Sequence, residues 1–309
     1  MQKATLTLLM TVHNGMPYLK EALRSLLDQD DPDFTILVLD NGSRDGSGDF
    51  LEELALARSE SMPRLLLRRL PENVGRSRVL AMGLDMVESE ITAILDADDL
   101  AAPGRLAAQR RFFESHAGID LLGSDIVYID EHGARAGRES YPVSHEQLRD
   151  ALPLGNPFAH SACAFRTEAA KAAGGYDPAF PYAQDLALWV AMLKMGCRAA
   201  SLPEPLAFIR RHAGQATRDL ALLRVRAKDN HRLAVAMLDI PDLAPAPAQA
   251  ARVRSALALW RLNRKRAALQ SLAAAFAAAP LLFFRNPVLW KRLALEWRKK
   301  TASRRLYRD

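Results

Sequence analysis

ITAILDADDL, residues 91–100, carries two signals in one stretch. Ile91–Leu95 is a short continuous apolar run, the pattern of a strand covered on both faces. Three carboxylates follow within four positions: Asp96, Asp98 and Asp99. Like charges this close repel one another unless something positive sits among them. A strand that leaves a buried core and runs into an acidic cluster fits an open α/β sheet, in which ligands bind beyond the strand ends.

The same alternation recurs upstream. ATLTLLMTV (4–12), FTILVLD (34–40) and RLLLRRL (64–70) read as strands. PYLKEALRSLLDQ (17–29), LEELALA (51–57) and SRVLAMGLDMV (77–87) repeat apolar residues at helical spacing, and a further helix is predicted from about Pro103 to Ser115. Strands alternating with helices predict a doubly wound, mostly parallel α/β sheet. Right-handed crossovers then place the strand C-terminal ends on one edge. Three strand ends deliver polar residues there. The first gives Thr11, His13 and Asn14; the second gives Asp40, Asn41 and the turn GSRDGSG; the fourth gives the acidic triplet. Asn-Gly and Asp-Gly are ordinary turn formers, and an Asp before a helix is an ordinary cap. Neither explains three carboxylates at one strand end. Hard oxygen donors in that position suit Mg²⁺ or Mn²⁺, often shared with substrate phosphates.

Composition sets the outer bounds. At 309 residues, 49% hydrophobic and 25% charged, the chain suits one large core or two smaller ones. Two cysteines, Cys163 and Cys197, make no disulfide framework, so a reducing compartment is expected. The apolar start is short, lacks a cleavage pattern and reads as a strand, not a signal peptide. No stretch reaches the ~20 apolar residues of a membrane span. Residues 285–309 hold nine basic and two acidic side chains, a net +7 against +6 for the whole chain. The basic character therefore belongs to the tail. Beyond about Thr217 strand-like runs vanish, and helices are predicted at about 218–238, 248–262 and 264–279, with another from 287 onward. The Pro-rich IPDLAPAPAQA (240–250) reads as a linker or hinge between them.

Three chemistries compete for the triplet. A dehalogenase-type phosphatase would place D-x-D-x-T after the first strand, but here the motif follows the fourth and Leu100 takes the fifth position. A dinucleotide-binding fold needs G-x-G-x-x-G, a spacing that NGSRDGSGDF lacks. The third is sugar transfer from a nucleotide sugar, with a metal neutralising the departing diphosphate.

The ordered set MTVHNGMPYLKEALRSLLDQDDPDFTILVLDNGSRDGS, ENVGRSRVLAMGL and ILDADDL resembles the inverting glycosyltransferases of family two, with their GT-A fold. The resemblance continues through LLGSDIVYIDEHG, NPFAHSACAFR, AGGYDPAF, QDLALWVAMLKMG and LPEPLAFIRRH, covering roughly residues 4–215. It implies donor binding by Thr11, His13, Asn14, Asp40, Asn41, Arg78, Asp96 and Asp98. His13 stands where the family often has an aromatic ring, Asn41 where a second Asp is frequent, and Val79 where Asn is usual. Asp96 would approach the ribose, and Asp98 or Asp99 would ligate Mn²⁺ or Mg²⁺. Asp185 resembles the catalytic base, with Gln184 in place of the commoner Glu beside it. The plain alternative for Asp185 is a helix cap ahead of LALWVAML. His160 and His212 stand at family-like positions, but surface or core placement is the commoner fate of a histidine. GGYD (174–177) reads as a turn and Trp189 as core.

The implied enzyme is a metal-dependent inverting glycosyltransferase. Its donor would be a nucleotide-diphosphate sugar and its acceptor a saccharide or a lipid-linked hydroxyl, in bacterial surface polysaccharide or glycolipid synthesis. A sugar nucleotidyltransferase of related fold and a non-catalytic, membrane-docked relative are the alternatives. The expected organisation is a catalytic region over 1–216, with a nucleotide half to about 100 and an acceptor half from about 101, and a helical region over 217–309. In the tail, Trp290, Leu293, Ala294 and Trp297 share one helical face flanked by Lys291, Arg292, Arg298 and Lys299. That pattern suits an anionic membrane surface. A cytoplasmic location, peripheral on the inner face of the membrane, is expected, with no nucleic-acid partner.

Overall fold

The computed structural model describes residues 5–58, 63–212 and 223–278. Its first half alternates as the apolar periods predict: β1 (Leu6–Val12), α1 (Leu19–Leu27), β2 (Thr35–Asn41), α2 (Ser47–Ala57), β3 (Arg64–Leu70), α3 (Arg76–Met86), β4 (Ile91–Ile94), β5 (Leu100–Ala101) and α4 (Arg105–Ser115). The second half adds β6 (Leu121–Ile129), β7 (Arg135–Glu139), α5 (His145–Ala151), β8 (Ala164–Arg166), α6 (Thr167–Ala172), α7 (Gln184–Lys194) and β9 (Ala199–Arg210). Three helices follow: α8 (Leu223–Ala236), α9 (Pro245–Arg261) and α10 (Lys265–Ala278).

One sheet runs through the molecule in the order β3-β2-β1-β4-β8-β6-β9-β5, with β7 paired to β6. The β1, β2, β3 and β4 pairings are parallel, and so is β6 with β9. β8 lies antiparallel between β4 and β6, so β6 and β9 point the same way as β1 to β4. The expected mostly parallel sheet is present, with reversed strands among the described residues at β8, β7 and the short β5.

The strand residues divide between two cores by the period of two. Leu8, Met10, Ile36 and Val38 enter one core with Leu19, Leu23 and Leu26 of α1. Leu9, Leu37 and Leu39 enter the other, with Val79, Leu80 and Leu84 of α3 and Trp189 of α7. Continuous apolar runs are therefore needed in β1, β2 and β4, which are buried on both faces, while the edge strands β3 and β7 meet solvent. Gly83 shows how closely α3 lies on the sheet: a Cβ there would stand 2.5 Å from Leu9 Cδ1. Trp189 is fully buried, as core. Gly174 and Gly175 have φ of 97° and 64°, which fits the expected turn.

The helical region differs from expectation at one point. Residues 240–250 are not simply a linker, because Pro245 opens α9 within its first turn, where a missing N–H costs nothing. Leu233, Met237, Ile240 and Ala251 join the α7 core, so α8 and α9 are built onto the sheet layer. The boundary expected near 216 and the basic tail from 285 both lie outside the described residues. Among the described residues no helix is long and apolar enough to cross a membrane.

Candidate active site

The carboxyl ends of β1, β2 and β4 open onto a cleft of about 840 Å³. β1 ends in Thr11, His13 and Asn14, all of which line it, as does Asn41 at the end of β2. Two loops lock together at this rim. Asn14 Oδ1 accepts from Arg44 N at 2.8 Å, the Asn14 amide donates to Ser43 Oγ at 2.9 Å, and Met16 N donates to Asp45 Oδ2 at 2.8 Å. The GSRDGSG turn thus acts as a brace for the β1 loop. His13 Nδ1 lies 2.9 Å from Asn41 O, which ties the ring to the end of β2. Asn41 in turn holds the next loop: its Nδ2 donates to Asn73 Oδ1, and its Oδ1 accepts from Val74 N, both at 2.9 Å.

That loop delivers Arg76, the first residue of α3, into the cleft. The expected residue, Arg78, is exposed and absent from the cleft lining. Successive helix residues turn by 100°, so two residues two apart face nearly opposite ways, and Arg76 takes the inward position. Asp40 is likewise absent from the cleft lining. It is buried behind the wall, where Oδ1 accepts from Ser43 N at 3.0 Å and Oδ2 faces Arg69 Nε at 3.4 Å. Neighbouring strand residues point to opposite sides, so Asn41 faces the cleft and Asp40 does not.

The triplet forms the turn between β4 and β5, closed by Asp99 N donating to Asp96 O at 3.2 Å. β5 pairs with β9 through Leu100 and Phe208, which brings the end of β9 behind the turn. Oxygens of Asp96, Asp98 and Asp99 lie within 4.8 Å of one another. Each carboxylate meets a different environment. Asp96 Oδ2 accepts from Arg76 at 2.5 Å, and Oδ1 lies 3.3 Å from His160 Nδ1. Burial alone would raise its pKa, but Arg76 and His160 outweigh that and hold Asp96 well below the usual carboxylate range. Arg76 is raised in return, first by Asp96 and also by Asp185 and Asp98. Asp98 is the most open of the three, and its Oδ2 lies 3.0 Å from His212 Nε2.

Asp99 is buried, with Oδ1 accepting from Arg210 N at 2.8 Å and Oδ2 from Ser161 Oγ at 2.5 Å. Burial, then Asp98 and Asp96, push its carboxyl well above the usual range. Arg210 is also buried; its Nε donates to Asp98 O at 3.0 Å and its Nη2 to Glu21 Oε2 at 2.6 Å. The chain therefore supplies Asp96 with its own counter-charge, while Asp98 and Asp99 stay mutually repulsive.

Both histidines depart from the plain expectation, because each touches the triplet. His160 bridges Asp96 and Tyr176, with Nε2 2.9 Å from the Tyr176 hydroxyl. Burial raises the Tyr176 pKa well above its ordinary value, so its hydroxyl keeps its proton. An ionised Asp96 can only accept, which places the His160 proton on Nδ1. This chain of hydrogen bonds fixes the Asp96 side chain from behind.

Asp185 lies beside the cleft rather than in its lining. It is not a cap: Ala183 holds the N-cap position of α7, and no side-chain cap bond forms there. Instead Asp185 Oδ2 accepts from Asn156 Nδ2 at 2.7 Å. Its neighbour Gln184 reaches the donor side: with the amide turned so that both ends pair, its oxygen accepts from Arg76 Nε at 3.0 Å and its nitrogen donates to Tyr182 O at 3.1 Å. The sequence reading missed Arg76, Asn156, Ser161, Tyr176 and Arg210. Asn156 and Ser161 sit inside the motif NPFAHSACAFR and Arg210 inside LPEPLAFIRRH, so the signal was present without a role attached.

Comparison with known proteins agrees with this geometry. Residues 7–173 match the family model described as Glycosyl transferase family 2. Among similar proteins is the amylovoran biosynthesis glycosyltransferase AmsE of Erwinia amylovora, 29% identical over 193 residues, or 62% of this chain and 70% of that one. Among solved structures, S. aureus TarS 1-349 in complex with UDP-GlcNAc has a TM-score of 0.63 at 19% identity, covering 89% of this chain and 82% of that one. The mannosyltransferase PcManGT from Pyrobaculum calidifontis, in complex with GDP-Man and Mn²⁺, has a TM-score of 0.61 at 20% identity over 97% and 84%. These likenesses show the GT-A fold.

Proposed function

The chain belongs to glycosyl transferase family 2 and is a glycosyltransferase, and from that premise we propose an inverting transfer of a sugar from a nucleotide-diphosphate sugar to a hydroxyl acceptor. The observation that carries the reading is the meeting, through Arg76, of the acidic cleft and Asp185. Thr11, His13, Asn14, Asn41 and Arg76 form the nucleotide side, with Asp96 held for the ribose. Asp185 takes the proton of the acceptor hydroxyl as it attacks the anomeric carbon, since a carboxylate in reach makes a weak nucleophile competent. The division into a nucleotide half, an acceptor half and a C-terminal helical region follows these roles.

The donor set fits a divalent cation. Three hard oxygen ligands converge, and burial with Asp98 and Asp96 pushes the Asp99 carboxyl above its usual range. Asp98 would hold Mn²⁺ or Mg²⁺, with Asp99 behind it and His212 beside it. When bound, such an ion supplies charge neutralisation for a diphosphate leaving group. The saccharide or lipid-linked acceptor places the work in surface polysaccharide or glycolipid synthesis, as AmsE's role in amylovoran biosynthesis supports.

Incubation with a panel of UDP- and GDP-sugars tests the reading. One donor should release its nucleoside diphosphate with Mn²⁺ present and lose that release in EDTA. Nucleotide-sugar formation from a sugar phosphate, with no such release, would replace it by a nucleotidyltransferase.

The basic tail, whose sequence spaces Trp290 and Trp297 seven apart, would give peripheral attachment to the cytoplasmic face of an anionic membrane. Co-sedimentation with phosphatidylglycerol vesicles should weaken at high salt and vanish on truncation after Phe284. Equal binding to neutral vesicles would contradict it.

A further inference from the structure

The segment that leads into Asp185 is gripped from outside the sheet by one face of α8. Asp229, buried to 2% exposure, accepts from Tyr182 N through Oδ2 at 3.2 Å. One turn earlier, the Arg226 guanidinium lies 4.2 Å from the centre of the Tyr182 ring and donates to its hydroxyl. One turn later, Arg232 lies 4.1 Å from the centre of the Phe180 ring and donates to Ala179 O at 2.8 Å. Residues 226, 229 and 232 recur every third position and so share one helical face. The opposite side of the segment is held by α3, where Ser77 Oγ donates to Phe180 O at 2.7 Å. Ser77 follows Arg76 directly, and Gln184 links Tyr182 O to Arg76 Nε. Residues 179–183 are thus fixed between α8 and the helix that carries the donor-side arginine.

We infer that α8 is a positioning element for the catalytic base: its Arg226–Asp229–Arg232 face sets where α7 begins, and so where Asp185 and the Gln184–Arg76 contact stand. The inference rests on the reading of Asp185 as the base. Its physical basis is geometric. A proton acceptor works only within hydrogen-bond reach of the attacking hydroxyl, and a displacement of about 1 Å can cost on the order of 10²-fold in rate. Nothing on α8 needs to touch either substrate. The helical region then belongs to the catalytic machinery through its contact with one segment.

The test uses the full chain, with Mn²⁺ and the donor that the nucleotide-sugar panel identifies, and follows donor turnover and UDP or GDP binding. Arg232 is exposed, so Arg232→Ala should fold with an unchanged melting temperature. It is expected to lower kcat by about tenfold or more while donor KM and nucleotide binding stay at parent values. Arg232→Lys, which can still reach Ala179 O and the Phe180 ring, should restore kcat. Asp229→Ala should show the larger kcat defect. Arg224→Ala, an exposed change on the same helix, is the control at parent kcat. Parent kcat in Arg232→Ala, or an equal loss in Arg224→Ala, would overturn the clamp while an inactive Asp185→Asn kept the base assignment. A fully active Asp185→Asn would instead remove the base assignment, and the clamp with it.

Discussion

Asp185→Asn is expected to lower the transfer rate by ~10²–10⁴-fold while leaving donor binding near its parent value. The substitution keeps the shape of the side chain, and the Asn156 amide can still donate to the remaining carbonyl oxygen. The negative charge and the ability to accept a proton are lost. Asp185 is no helix cap, since Ala183 holds that position without a side-chain bond, so the variant should melt with the parent protein. A pre-steady-state or single-turnover measurement locates the loss in chemistry rather than in product release. Transfer at close to the parent rate would exclude Asp185 as the base. A lowered melting temperature with no kinetic defect would show that the residue serves α7 alone.

Asp98→Asn addresses the other end of the reaction. Asp98 is the most open member of the triplet, and the amide can still accept from His212 Nε2. The change removes one negative charge from a cluster in which Asp99 is already held well above its usual pKa by burial and by Asp98 and Asp96. Folding should therefore be retained or improved, because the repulsion falls. Mn²⁺-dependent binding of UDP or GDP, read by calorimetry, should weaken on the order of 10–100-fold, as expected for loss of a metal ligand or its support. Asp99→Asn should act differently. Both Asp99 oxygens are engaged, by Arg210 N and by Ser161 Oγ, so part of its effect should be a loss of stability. Unchanged Mn²⁺-dependent affinity in both variants would remove the metal site from the account.

How far the sequence reached can be argued residue by residue. The apolar runs of β1, β2 and β4 were legible because both faces of the sheet are covered there, which disfavours polar interruptions. The rim residues Thr11, His13, Asn14 and Asn41 were legible because a strand end fixes their place. The side on which each residue falls was harder to read. Asp40 and Asn41 are neighbours, and only the registry of β2 decides that Asn41 faces the cleft. Arg76 and Arg78 are two apart on α3, and the loop held by Asn41 and Asn73 decides which turns inward. Motif order reports that an arginine is needed near this helix start, not its phase.

The partners of the triplet were the least legible. His160, Ser161, Arg210 and His212 come from segments more than sixty residues away in the chain, and pairing β9 with β5 and β6 brings the last two in. A local reading of ILDADDL saw uncompensated charge and assigned all of the compensation to an ion. The fold assigns part of it to Arg76, which balances Asp96, while burial, Asp98 and Asp96 raise Asp99. β5 and β8 were not predicted, because two and three residues are too short to show a period.

The most direct test of the central claim, a one-step displacement assisted by Asp185, is the anomeric configuration of the sugar first released from the active donor of the UDP- and GDP-sugar panel. Proton NMR in the first minutes, before mutarotation, reads it without knowledge of the natural acceptor. Backside attack predicts the inverted anomer from an α-linked donor, with its signal lost in Asp185→Asn. Release of the retained anomer at the parent rate would contradict the account.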